Sequence, residues 1–255
     1  MPTKRVPTLS AEQLSEVLTL MKGADSVELK LSVPDADQRS VVDALEMDPV
    51  GAQIRQVAFF DTPDLALDKV GVVVRARRIQ GKPADSVVKL RPVKPAELSP
   101  ALRKTVGFGV EVDAMPGGFV CSASMKGSAD PLVAHDVFRG RQSLRKLFTK
   151  DQRAFFKSHA PAGLQLEDLV MLGPVSLLKL KFTPEEFGRK MVAELWIYPD
   201  GTRLLELSTK CTPDDAFDVA AKTKAFLANR GVNLSGAQQT KTRTALQHFA
   251  ANIAK

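Results

Sequence analysis

The chain has 255 residues, with 36 Lys and Arg against 29 Asp and Glu, which gives a net charge of +7 and a sequence pI near 9.4. Hydrophobic residues at 44% and charged residues at 25% exclude wholesale disorder and a fibrous repeat, and no stretch approaches the roughly 18 apolar residues of a spanning helix. Cys121 and Cys211 are too few for a disulfide framework and lack metal-ligand spacing, which predicts reduced thiols in a cytoplasmic protein.

The opening MPTKRVPTLSAEQLSEVL has no apolar h-region, so no secretory signal is expected. Ser10 and Gln13 form a capping box for a first helix, about Ser10 to Met21, which Gly23 ends. Ser26 to Val33 alternates polar with apolar residues, the period of a strand with one buried face. Asp35 caps a helix that continues to about Glu46, and strands follow over about Ile54 to Phe60 and Val72 to Ile79. Between them Thr62-Pro63 opens a short helical turn that Gly71 closes. Gly81-Lys82-Pro83 turns the chain into a strand over Ser86 to Arg91, and another is expected over Gly109 to Ala114. A less regular stretch of about 60 residues then includes a basic helix near Arg141 to Lys157. Strands resume at Val175 to Phe182, Met191 to Tyr198 and Arg203 to Thr209, the last two joined by the turn Pro199-Asp200-Gly201. Thr212-Pro213-Asp214-Asp215 starts a helix that ends before Gly231, and a final helix begins at about Ala237. The pattern predicts one α+β domain over residues 1–255, built on an eight-stranded antiparallel β-barrel with helices packed outside. Its core spans about 24–248, with a helical insertion over about 115–172.

Charged residues recur at alternate strand positions: Glu28 and Lys30, Arg75 and Arg77, Lys89 and Arg91, Glu111 and Asp113, Lys179 and Lys181, then Glu194 and Glu206. Each pair therefore projects from one face of the sheet, while Leu29, Val74, Ala76, Leu90, Val112, Leu180, Leu195 and Leu205 project from the other. Helices need an apolar surface to pack on, so they are expected to cover the apolar face and leave the charged face as the barrel interior. A lumen lined by Lys and Arg within low-dielectric walls attracts a polyanion, and arginine adds planar donors matched to phosphate oxygens. Carboxylates among those cations suit a hard divalent ion, Mg2+ or Mn2+. No Walker-type loop is present, so phosphate binding is left to side chains, and His135, His159 and His248 show no ligand spacing. The basic helix, with Leu144, Leu147, Phe148 and Phe155 at helical spacing, is expected to pack over the barrel rather than to bind nucleic acid.

Glu28-Leu-Lys30, Phe59-Phe-Asp-Thr-Pro-Asp-Leu-Ala-Leu67, Gly71-Val-Val-Val-Arg-Ala-Arg77 and Val88-Lys-Leu-Arg91 together resemble the CYTH domain of the triphosphate tunnel metalloenzymes. The later pairs and Lys241 fall in that family's order, so the resemblance covers roughly 24–248. It implies a metal-dependent phosphohydrolase acting on inorganic, nucleoside or thiamine triphosphate. Adenylate cyclase, or a non-catalytic module for triphosphate or polyphosphate, is the alternative. By the resemblance, Glu28 and Glu206 ligate the metal, Lys30, Arg75, Arg77, Lys89, Arg91, Lys179 and Lys181 hold the phosphate chain, and Glu111, Glu194 and Lys241 assist catalysis. No membrane and no nucleic acid beyond a 5′-triphosphate end is an expected partner. Ser26, Trp196 and Ser208 stand where the family commonly has acids, which leaves fewer carboxylates than a two-metal mechanism uses.

Overall fold

The computed structural model describes residues 10–234 and 241–253. The chain begins with α1 (Ala11–Lys22), β1 (Ser26–Val33), α2 (Gln38–Ala44), β2 (Gln53–Asp61) and the one-turn α3 (Ala66–Lys69). It continues through β3 (Val72–Ile79), β4 (Lys82–Leu90), α4 (Pro100–Arg103), β5 (Phe108–Met115) and β6 (Gly118–Ala129). Helices α5 (Pro131–Phe138) and α6 (Lys150–Lys157) precede β7 (Val170–Phe182), β8 (Met191–Ile197) and β9 (Arg203–Cys211), and α7 (Ala216–Asn229) and α8 (Lys241–Ile253) close the chain. The expected start of the last helix at Ala237 lies outside the described residues. No helix among the described residues is long and apolar enough to cross a membrane.

The strands close into a barrel in the order β1-β5-β6-β4-β3-β2-β7-β8-β9, with β9 returning to β1. This corrects the expected eight antiparallel strands in two ways: the described residues form nine, and β1 pairs with β5 in parallel. The additional strand is β6, at the start of the stretch expected to be a helical insertion. Its inward positions carry Ser122 and Ser124 instead of paired charges, so the alternation that marks the other strands is muted there. The basic helix is also shorter than expected. Leu144–Leu147 forms a 3-10 turn, and a fresh capping box of Thr149 and Gln152 starts α6.

Apolar outward positions carry the helices, as the alternation requires. Val74, Ala76, Val88, Leu90 and Met125 form a core with Phe138, Phe148, Phe155 and Phe156 of the α5–α6 region. Val27, Val112 and Cys121 pack with Val17 and Met21 of α1, while Leu205 and Leu207 pack with Val41 of α2 and Phe226 of α7. One polar anchor fixes α6. Gln152, fully buried, donates from Nε2 to the carbonyls of Ser86 (3.0 Å) and Met125 (3.1 Å) and accepts from Ser86 Oγ (3.0 Å). A Cβ at Gly127 would lie 2.3 Å from Gln152 Oε1, so the close approach of helix and strand requires glycine there.

The phrase Phe59 to Leu67 is explained by Asp61. Its buried carboxylate accepts the backbone N–H groups of Thr62 (2.7 Å), Leu67 (2.8 Å) and Asp68 (3.0 Å), which holds the turn between β2 and β3. Gly71, at φ +73°, ends that turn where a Cβ would lie 2.4 Å from the Arg91 carbonyl. Strand β3 is thereby laid against the end of β4 with Arg75 and Arg77 inward.

A cationic cup inside the barrel

Register decides which side chains meet in the lumen. Across the parallel pair Ser26 faces Glu111 and Glu28 faces Asp113, so a single patch gathers the acids of β1 and β5. Carboxylate oxygens of Glu28, Glu111 and Asp113 lie within 4.8 Å of one another. Ser26 Oγ donates to Glu111 Oε2 at 3.5 Å, so the serine in place of the family's first acid lies beside an acid supplied by the neighbouring strand. Glu28, expected to share a metal with Glu206, lies in this group with Glu111 and Asp113. Glu206 instead accepts from Lys241 Nζ at 2.6 Å.

Cations neutralise this patch. Lys30 Nζ lies 2.7 Å from Asp113 Oδ1 and 3.1 Å from Glu28 Oε2, and Lys89 and Arg91 approach Asp113 Oδ2 at 3.7 and 3.4 Å. Burial pushes the Asp113 carboxyl up, but Lys30, then Lys89 and Arg91, outweigh it and hold the group down at about 2. The same partners act in reverse on Lys30, whose charge is opposed by burial but raised above its ordinary value by Asp113, Glu28 and Glu206. Three hard oxygen donors in one place fit Mg2+ or Mn2+, and they would share Glu28 and Asp113 with the Lys30 ammonium.

On the opposite wall Arg77 makes a bidentate pair with Asp85, Nε to Oδ1 at 2.8 Å and Nη2 to Oδ2 at 2.7 Å. Lys179 donates to Glu194 Oε1 at 2.7 Å, a direct consequence of their cross-strand register. Beside Arg77 on β3, Arg75 has no ion pair or side-chain hydrogen bond among the described residues, and its buried Nε is unpaired. Burial, then the charge of Arg77, lowers its guanidinium to about 10. Lys181 is exposed near the open rim. Arg55, Asp85 and Lys210 also face this space and were not singled out in the sequence. Arg55 is bound to Gln53 Oε1 at 2.7 Å, and Lys210 donates to Glu111. The signal was available, because each follows the same alternation within its strand.

The lumen is not charged throughout, contrary to what the alternation of charges along the strands led one to expect. Inward positions on β2, β7, β8 and β9 turn apolar at one end, where Val57, Phe59, Leu177, Trp196 and Leu204 meet Ala245 and Leu246 of α8. Strands β6, β7 and β9 run in the same direction, and Leu172 and Leu204 near the starts of β7 and β9 lie at that end. Lys126, Lys181 and Lys210, late in the three strands, therefore ring the other end. The site is a cup with a cationic rim, charged walls and an apolar floor.

Burial pushes Lys89 down to about 8, against the pull of Asp113 and with the help of Lys30. A bound phosphate chain favours the ammonium form, so binding near pH 8.5 is expected to take up protons and to weaken as pH rises further. Calorimetry with triphosphate in two buffers of different ionisation enthalpy measures this uptake. Persistence of the full uptake in Lys89→Met would show that another group titrates.

The fold and site together define a closed β-barrel protein with a cation-lined, carboxylate-bearing lumen. No protein-family model and no curated protein matches the chain at a significant level. Solved structures do match. The adenylyl cyclase candidate HpAC1 from Hippeastrum, with a dominant triphosphatase activity, superposes with a TM-score of 0.64 at 18% identity, covering 87% of this chain and 95% of its own. An adenylate cyclase candidate of Bacillus halodurans, bh2851, gives 0.59 at 12% identity, with 86% and 97% covered. The chain thus has the fold of these CYTH-type proteins, in agreement with the resemblance of its strand motifs.

Proposed function

We propose that this protein is a divalent-metal-dependent triphosphatase that takes a short phosphate chain into the cup. The observation that carries the reading is Arg75, a half-buried lumen arginine whose buried Nε has no hydrogen-bond partner and which makes no ion pair among the described residues. A partly buried cation of this kind is costly unless an anion satisfies it, and a guanidinium matches phosphate oxygens. Arg75, Lys89, Arg91, Lys179 and Lys181 would contact the chain, with Arg77 held in place by Asp85 and Lys30 beside the metal position. Glu28, Glu111 and Asp113 would hold Mg2+ or Mn2+, which supplies charge for the phosphoryl oxygens and lowers the pKa of a bound water. Phosphoryl transfer needs positioning and electrostatic stabilisation more than a side-chain nucleophile, so the lysines and arginines of the wall suffice as protein partners.

Aromatic placement favours a chain without a base over a nucleotide. Among the described residues the aromatic side chains lie in the outer cores or the floor, apart from the exposed Phe217 of α7. None lines the rim where a base would emerge, so the stacking worth about 1–3 kcal/mol per base is missing. Inorganic triphosphate is accordingly expected to be turned over at least as well as ATP, with no cyclic AMP formed. A phosphate-release assay on inorganic triphosphate, ATP and thiamine triphosphate, with and without Mg2+ or Mn2+ and beside Glu28→Gln, tests this. Tight binding of all three without metal-dependent release would sink the hydrolase reading in favour of a binding module. Lys30 already neutralising Glu28 and Asp113 is the observation that supports that second reading.

A further inference from the structure

Glu194 and Glu206 are direct cross-strand partners on β8 and β9, so two buried carboxylates stand side by side on the lumen wall. Adjacent buried carboxylates do not both stay ionised without a cation between them. Here the cation is part of the chain. Lys241, the first residue of α8, donates from Nζ to Glu194 Oε2 at 2.5 Å and to Glu206 Oε1 at 2.6 Å. Its ammonium also lies 5.4 Å from the Trp196 ring centroid, within cation–π range, while Trp196 Nε1 donates to Glu194 Oε2 at 3.4 Å. Tyr198 Oη donates to the Lys241 carbonyl at 3.3 Å, and Ala245 and Leu246 seat α8 in the floor. The ammonium is thus fixed by backbone, packing and two carboxylates at once.

A divalent ion at this place would need about six oxygen ligands. Without the ammonium, Glu194 and Glu206 would supply carboxylate oxygens and water the rest of that shell. We infer that the Lys241 ammonium permanently fills the position of a second divalent ion between Glu194 and Glu206, so that this chain operates with no metal at that pair. The inference rests on the proposed cup chemistry for its meaning but not for its test. Lys179, on the far side of Glu194, completes the neutralisation, which leaves no net negative charge there to recruit an ion.

The test counts Mn2+ ions bound per chain, by electron paramagnetic resonance of free Mn2+ during titration with MnCl2. Lys241→Met keeps the side-chain stem and removes the charge. It is expected to bind one ion more than the wild type, and adding Glu206→Gln is expected to remove that gain. An unchanged count in folded Lys241→Met would overturn the inference. Should circular dichroism show that this variant does not fold, Glu206→Gln alone carries the test. An unaltered count supports the fixed ammonium, and loss of one ion overturns it. Glu28→Gln separates the two ideas, since it reads the proposed metal position of the β1–β5 patch. Failure of that position leaves the gain in Lys241→Met intact.

Discussion

Replacing Arg75 with Met is expected to cut triphosphate affinity by about ten- to a hundredfold, the equivalent of the roughly 1.5–3 kcal/mol carried by charged hydrogen bonds. The same variant is expected to unfold at a higher temperature than the wild type. These opposite signs follow from one fact. Arg75 is half-buried with a buried, unpaired Nε, and burial and the charge of Arg77 both disfavour its ionised form, so removing the charge relieves the fold while depriving the ligand of its donor. Calorimetric titration and thermal unfolding of the same preparation read both effects. Loss of affinity together with loss of stability would mean that Arg75 supports the wall and does not meet phosphate.

Lys30→Met is expected to be the most destabilising of the lumen substitutions. Asp113 is fully buried and would lose its 2.7 Å partner, leaving Lys89 and Arg91 at 3.7 and 3.4 Å as its remaining cations. Breaking one side of a buried pair costs about 3–5 kcal/mol, which urea unfolding resolves easily. The pH dependence has a definite sign. In the wild type the Asp113 carboxyl is held at about 2, below its unfolded value, so its contribution to stability is complete above the unfolded pKa near 4 and is lost as pH falls through about 2. In Lys30→Met the depression is smaller, and the deficit relative to wild type is expected to shrink as pH falls from 7 toward 3. A deficit constant across that range would locate the effect in packing.

How much of this could be read along the chain depends on which forces act locally. Strand alternation is local, so the inward charges and outward apolar residues were legible, and Val74, Ala76, Leu90, Val112 and Leu205 are buried under helices as expected. Capping chemistry is local too, and the Ser10–Gln13 box stands where the sequence puts it. Strand β6 was obscured because small serines fill its inward positions, and a strand without charged or β-branched alternation has a weak signature.

By itself, the sequence determined a charged strand face with an excess of cations. The tertiary structure decided how those charges are grouped. Glu28 meets Glu111 and Asp113 only because β1 and β5 pair in parallel across more than 80 positions, and Glu206 is paired with a lysine from the far end of the chain. The floor likewise exists only where Trp196, Phe59 and Leu177 of separate strands converge on α8. Side-chain type is written locally, but ion pairing depends on distances of a few ångströms between strands remote in sequence, and closure of the barrel sets those distances.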